Sequence, residues 1–181
     1  LPEVGRDPSF TFPSVSKVVL SNGLSVWSVE HRKIPVVSCL LLLPGGSAED
    51  PMGQAGVTSL TAALLDEGCG ERSGLELHRL LGRLGTQLNV RVGMDATTLR
   101  LTMLRRFANE ALSLLAELVG KPRFELKAFD RLQKLRLDRL AQLREVSAAI
   151  ADRAFAHVLY RDQPYGHLPF GTESAIRRLT R

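Results

Sequence analysis

Residues 45–68 read GGSAEDPMGQAGVTSLTAALLDEG. The first dozen are rich in Gly, Pro, Asp and Ser, which punctuate loops because they tolerate turn backbone or bond to it. From Val57 the pattern changes. Val57, Leu60, Leu64 and Leu65 recur at i, i+3, i+7 and i+8, which puts them on one buried face of a short helix. Gly45 follows a long apolar run, so the stretch reads as strand exit, loop and helix.

Immediately upstream, Val36 to Leu43 reads VVSCLLLL, a nearly continuous apolar run expected to form a strand covered on both faces or nearly so. Before it, Lys17–Leu20 and Leu24–Glu30 are β-rich runs separated by Ser21-Asn22-Gly23. Asn-Gly between such runs is a strong hairpin signal, because both residues tolerate positive φ. Leu1 to Ser14 holds three prolines and reads as extended, giving a lead-in over 1–16 and one domain over 17–181.

Downstream, Ser73 with Glu76 three residues on makes a capping box before Leu77, Leu80, Leu81 and Leu84, and Gly85 stops that helix. Two strands follow, Thr86–Val92 and Ala96–Leu104. The second alternates Thr97, Leu99, Leu101 and Met103 with Thr98, Arg100 and Thr102. Phe107–Val119 returns to helical period and Lys121-Pro122 breaks it. From Glu125 to Tyr160 the pattern is helical, with Leu126, Phe129, Leu132, Leu140, Leu143 and Val146 on one stripe. A break at Ser147 opens a second helix carrying Ile150, Ala154, His157 and Val158. Hairpin-joined strands and grouped helices predict an α+β fold, with a mainly antiparallel sheet and helices packed on one face. All five long strands are expected in one sheet.

Composition narrows the function. A chain of 181 residues, 44% hydrophobic and 24% charged, can bury a substantial core and is not disordered. No apolar run approaches a membrane helix, and no signal-peptide pattern opens the chain. The net charge is +5, but Arg131, Lys134, Arg136, Arg139 and Arg144 are spread along a helix among Asp130, Asp138 and Glu145. That pattern reads as a solvated face. Aromatics are only 6% and do not interleave with the basic residues, which argues against nucleic acid. Cys39 reads as a buried core thiol and Cys69, in a Gly-flanked turn, as exposed.

Five landmarks stand in a fixed order: Leu20-Ser21-Asn22-Gly23-Leu24 with Val26; Pro44-Gly45-Gly46-Ser47-Ala48-Glu49; the helix after Gly56; Gly85-Thr86-Gln87-Leu88-Asn89-Val90 with Asp95 and Thr97; and Pro164-Tyr165-Gly166 with Gly171-Thr172. Together they resemble the N-terminal half-domain of the insulinase/pitrilysin (M16) zinc metallopeptidases. In that family the helix after Gly56 carries His-x-x-Glu-His, and a Glu on the long helix completes the zinc site. Aligned by Gly56, the motif positions here are Ser59, Ala62 and Ala63. Aligned back from Arg153-Ala154-Phe155, the remaining ligand position is Gln142. None of the four offers an imidazole or carboxylate, so the expectation is no catalytic residue and no cofactor in this chain, zinc belonging to catalytic members.

The four histidines do not replace the motif. His31 reads as surface, His78 as a helix boundary, His157 as a core or interface residue and His167 as a loop residue. No spacing suited to a metal helix exists among them, and Ser59 lacks the Gly-x-Ser-x-Gly elbow of a serine hydrolase.

The resemblance implies a partner. Family members work as clamshells of half-domains, and in many pairs one member has lost its zinc site. This chain looks like that second type, pairing with a zinc-bearing M16 subunit or repeat around a peptide. In catalytic members the peptide adds to the strand carrying the Asn, which puts that role on Leu88, Asn89 and Val90. Two other readings stand beside it. Asn89 is equally a plain strand residue in a structural assembly module, or the chain is half of an active metalloendopeptidase whose intact site lies in another repeat. The resemblance also implies a piece of a longer protein, because the family's half-domain continues beyond Thr172.

Overall fold

A computed structural model describes residue 5 and residues 11–181. The chain forms two compact units, 1–35 and 36–181. Most of the expected lead-in lies outside the described residues.

The first unit is a hairpin. β1 (Val15–Val19) pairs antiparallel with β2 (Ser25–Val29), Lys17 opposite Trp27 and Val18 opposite Val26. Gly23 takes φ 85° and donates to the Leu20 carbonyl, whereas Asn22 keeps negative φ and accepts from the Leu24 N–H through Oδ1. The turn is therefore wider than the two-residue loop that Asn-Gly most often makes. Among the described residues β1 and β2 pair only with each other, so the five strands do not make the expected single sheet there. Val15, Val19 and Trp27 lie on one face, Val18 and Val26 on the other. An apolar pattern divided between two faces specifies neither as the inward one.

The second unit runs β3 (Val36–Pro44), α1 (Val57–Leu64), β4 (Gly68–Cys69), β5 (Arg72–Ser73), α2 (Gly74–Arg83), β6 (Asn89–Val92), β7 (Ala96–Leu104), α3 (Ala108–Gly120), α4 (Leu126–Gln142), α5 (Ser147–Tyr160) and α6 (Glu173–Arg178). Its main sheet is antiparallel in the order β3-β7-β6. The architecture is α+β, as the hairpin-joined strands and grouped helices predicted.

Two cores hold this unit. The larger joins Leu99, Leu101 and Met103 of β7 to Leu77 and Leu81 of α2 and to Ala111, Leu114, Leu115 and Leu118 of α3. Val37, Cys39, Leu41 and Leu43 of β3 pack against it from one face only. The other face of β3 is open, with Leu40 59% exposed, which corrects the expectation of a strand covered on both sides. Continuous apolarity here conceals an alternation of burial. α2 begins with the expected capping box: the Ser73 N–H donates to Glu76 Oε2 at 2.8 Å, and the Ser73 hydroxyl accepts from the Glu76 N–H.

The smaller core joins Leu60 and Leu64 of α1, Phe129 and Leu140 of α4, and Ile176 and Leu179 after them. The expected stripe from Leu126 to Val146 is only partly buried, since both of its ends are exposed. In α5 only Ala156 is buried. Phe155 and Val158 are 69% and 76% exposed, and His157 is on the surface rather than in a core.

Cys69, expected to be exposed, is the more deeply buried of the two cysteines. Cys69 is fully buried in the larger core, because Gly68 at φ 134° turns its side chain inward and an isolated bridge ties it to Pro122. Cys39 is half-buried on the inward face of β3. Burial raises the pKa of both thiols, with Glu117 adding to the rise at Cys69.

Candidate functional site

Residues far apart in sequence converge on the N-terminus of α1. The Asp50 carboxylate, fully buried, accepts from the Gly56 N–H at 2.6 Å, the Thr58 N–H at 3.0 Å and the Thr58 hydroxyl at 2.6 Å. It thereby satisfies donors that a helix start leaves unpaired, and its charge suits the positive end of the helix dipole. The His167 Nε2 lies 2.9 Å from the Ser47 carbonyl oxygen and 3.4 Å from Asp50 Oδ2. Tyr165 donates to the Asp95 carboxylate.

Gly56 and Gly171 meet back to back. A Cβ on Gly56 would lie 2.9 Å from the Gly171 Cα, and one on Gly171 would lie 2.8 Å from the Gly56 Cα. Both have positive φ, 99° and 81°, so only glycine suits either position. Two landmarks separated by more than half the chain are thus a single backbone contact.

One turn into α1, Ser59 meets a cation. Arg136 of α4 donates through one terminal nitrogen to Ser59 Oγ at 2.5 Å and through the other to the Ser59 carbonyl at 3.2 Å. Its guanidinium also stacks 4.5 Å from the centre of the Phe170 ring. Arg136 is only 9% exposed, not on the solvated face expected of it. Burial pulls its pKa below the ordinary arginine value and the Asp50 charge opposes that fall. The signal was present in the sequence. Arg136 follows Phe129 by seven residues and precedes Leu140 by four, which puts it on the buried stripe.

Ala62 is buried and Ala63 half-buried on the same helix. Gln142 is exposed at the end of α4, where its Oε1 accepts from Arg139 at 3.1 Å. The structure therefore brings Ser59, Ala62 and Ala63 together on α1, and the side chain that reaches Ser59 from α4 is Arg136 rather than Gln142. These residues do not fit a zinc ion. They supply one hydroxyl already engaged by a guanidinium, two methyl groups and a fixed positive charge where a dication would need anionic or imidazole donors. Among the described residues no three His, Cys, Asp or Glu side chains are grouped to hold a metal.

The second candidate region is β6. It is the last strand of its sheet, and α1 packs against it. Val90 and, just before the strand, Leu88 pack toward the larger core, while Asn89 is exposed opposite Arg100. Among the described residues, Asn89–Val92 make no backbone bond outside the ladder with β7. Beside this strand lies a groove of about 690 Å³ whose lining includes Leu40, Thr86, Asn89, Arg91, Thr98 and Arg100.

The sequence profile of the insulinase family, peptidase family M16, matches residues 25–172. A Helicobacter pylori protein named as the non-peptidase homolog YmxG is 25% identical over 150 residues. A Rickettsia bellii protein named as an uncharacterized zinc protease is 22% identical over 168 residues. These alignments cover 83% and 93% of this chain but 35% and 40% of the relatives. The crystal structure of a peptidase M16 inactive domain from Pseudomonas fluorescens superposes with a TM-score of 0.87 at 27% identity, over 92% of this chain and 41% of that one. With fold, landmarks and profile in agreement, this chain belongs to the insulinase family, M16, as a half-domain that lacks the family's zinc motif.

Proposed function

We propose that the chain serves as a non-catalytic M16 half-domain, pairing with a zinc-bearing M16 subunit or repeat and binding an extended peptide along Leu88, Asn89 and Val90. The observation that carries this reading is the Arg136–Ser59 contact. A buried guanidinium holds α1 where catalytic relatives need a metal, while the adjacent β6 keeps its outer edge free of backbone bonds. An edge strand offers N–H and C=O groups to any extended chain.

The experiment is reconstitution of the full-length protein with a zinc-bearing M16 partner, comparing the native sequence with Asn89→Pro. Proline removes the backbone donor at that position. Loss of peptide affinity, with the pair still assembled, supports the reading. Unchanged affinity and turnover favour a structural assembly module.

A second reading has its own support in the zinc-protease name of the Rickettsia relative: the full-length protein is an active metalloendopeptidase whose intact site lies in another repeat. Metal analysis of the full-length protein after purification without chelator separates the two, since one tightly bound zinc per chain would establish that second reading.

A further inference from the structure

We infer that the groove beside β6 selects acidic peptides, binding an extended segment with Asp or Glu at alternate positions. This inference rests on the reading that β6 is a peptide-binding edge, and adds the class of sequence it takes.

The groove carries Arg91 and Arg100, and its lining holds no carboxylate among the described residues. Neither arginine has an ion-pair partner among those residues, although Arg72, Arg123, Arg131, Arg144 and Arg177 all do. Other arginines without an ion pair, such as Arg79, Arg83 and Arg139, lie elsewhere on the surface; Arg91 and Arg100 are the two that line this groove.

Their placement follows from the register. Asn89 faces Arg100 and Arg91 faces Thr98 across the β6–β7 ladder, so Asn89, Arg91, Thr98 and Arg100 share one face of the sheet. Arg91 and Arg100 are then diagonal neighbours, about 7–8 Å apart at Cα. A strand added at β6 would present its residues i and i+2 on that same face, about 6.6–6.8 Å apart. Alternate residues of such a strand would lie opposite Arg91 and opposite Asn89, whose neighbour across the ladder is Arg100. An added strand would lie two strand spacings, about 9.6 Å, from Arg100, a distance that an arginine and a glutamate side chain span together.

Arg100 leans toward β3, on the side of β7 away from β6, and would turn from there to meet a carboxylate at the edge. Its Nε donates to the Ser38 hydroxyl at 3.3 Å, and Ser38 in turn bonds Thr102 at 3.1 Å. The terminal nitrogens of Arg100 make no bond to the described residues, so the planar fork that grips a carboxylate in two places remains available. No aromatic side chain lines the groove. It therefore lacks the stacking surface that single-stranded nucleic acid would use, which favours a peptide.

The test uses the full-length protein and three labelled peptides of equal length that differ only at alternate positions, carrying Glu, Gln or Lys. Binding is followed by fluorescence anisotropy at low and physiological salt. The Glu peptide is expected to bind at least tenfold more tightly than the Gln peptide, and the advantage to shrink as salt rises. The variant Arg91→Gln/Arg100→Gln should abolish that advantage while leaving Gln-peptide affinity within about twofold. Equal binding of the Glu and Gln peptides would overturn the acidic preference and leave the edge reading standing. Absence of binding by all three would overturn both. A preference that survives in the double variant would remove this groove from the explanation. Displacement of the Glu peptide by a short single-stranded oligonucleotide as effectively as by unlabelled peptide would overturn the choice of a peptide ligand.

Discussion

The α1–α4 contact and the β6 groove each centre on arginine, and they treat its charge in opposite ways. At α1–α4 the charge is enclosed: Arg136 is bonded to Ser59, stacked on Phe170 and within the field of Asp50. In the groove, Arg91 and Arg100 are exposed and lack a carboxylate. A buried cation fully engaged by the protein stabilises the fold and has little left for a ligand. An exposed cation costs the fold little and keeps its bonding capacity. On the proposed reading, the difference separates structure from recognition between two parts of one family scaffold.

The sharpest way to break this comparison is to remove the cations in turn. Arg136→Met deletes both bonds to Ser59 and leaves the buried Asp50 carboxylate without its nearby guanidinium. We expect it to lower the free energy of unfolding by about 3 kcal/mol, read by chemical denaturation. Arg91→Met and Arg100→Met should each change it by no more than about 0.5 kcal/mol. The reverse order would refute the division of labour.

A smaller effect is expected at Asp50. Asp50→Asn retains one acceptor oxygen for the α1 N–H groups but loses the charge that faces the helix dipole and Arg136, at a cost of about 1–2 kcal/mol. Combined with Arg136→Met, the loss should fall short of the sum, because the two groups act on each other. Strict additivity in thermal or denaturant unfolding would show that they do not.

The smallest effect lies away from both regions and supplies a surface reference. Bonds from the Ser73 hydroxyl and N–H hold the Glu76 carboxyl below the ordinary glutamate range. A depressed carboxyl contributes stability above its unfolded value and loses it as pH falls through the folded value. The gap in thermal stability between the native protein and Glu76→Gln should therefore be present at neutral pH and close in the acid range below that of free glutamate. A gap that widens on acidification would contradict the capping box.

Local signals carried most of the fold. The capping box at Ser73 and Glu76, the break at Lys121-Pro122 and the alternation of Ala96–Leu104 are short-range rules, and each is realised. Burial was less legible because it depends on which face finds a neighbour. VVSCLLLL is apolar on both sides of β3 but packed on one, and the exposed apolar residues of α5 follow helical period with no cover among the described residues. Arg136 was hidden for a related reason. A charged residue on an apolar stripe resembles a solvated one until its partners, Ser59 and Phe170, arrive from segments far away in the chain. The glycine pair was half visible, since Gly56 and Gly171 each marked a landmark while their mutual contact was not encoded in any local pattern.

The Arg136–Ser59 contact also bears on history. Restoring a histidine at Ser59 alone would set an imidazole against a fixed guanidinium and remove its hydroxyl partner, with no metal gained because the remaining ligands are still missing. Removing Arg136 alone costs stability and likewise gains nothing. Each single substitution toward a zinc site would thus cost stability and gain no metal. On the proposed alignment of Ser59 with the zinc motif, a one-residue contact of this kind would act as a ratchet that holds the site on its non-metal side.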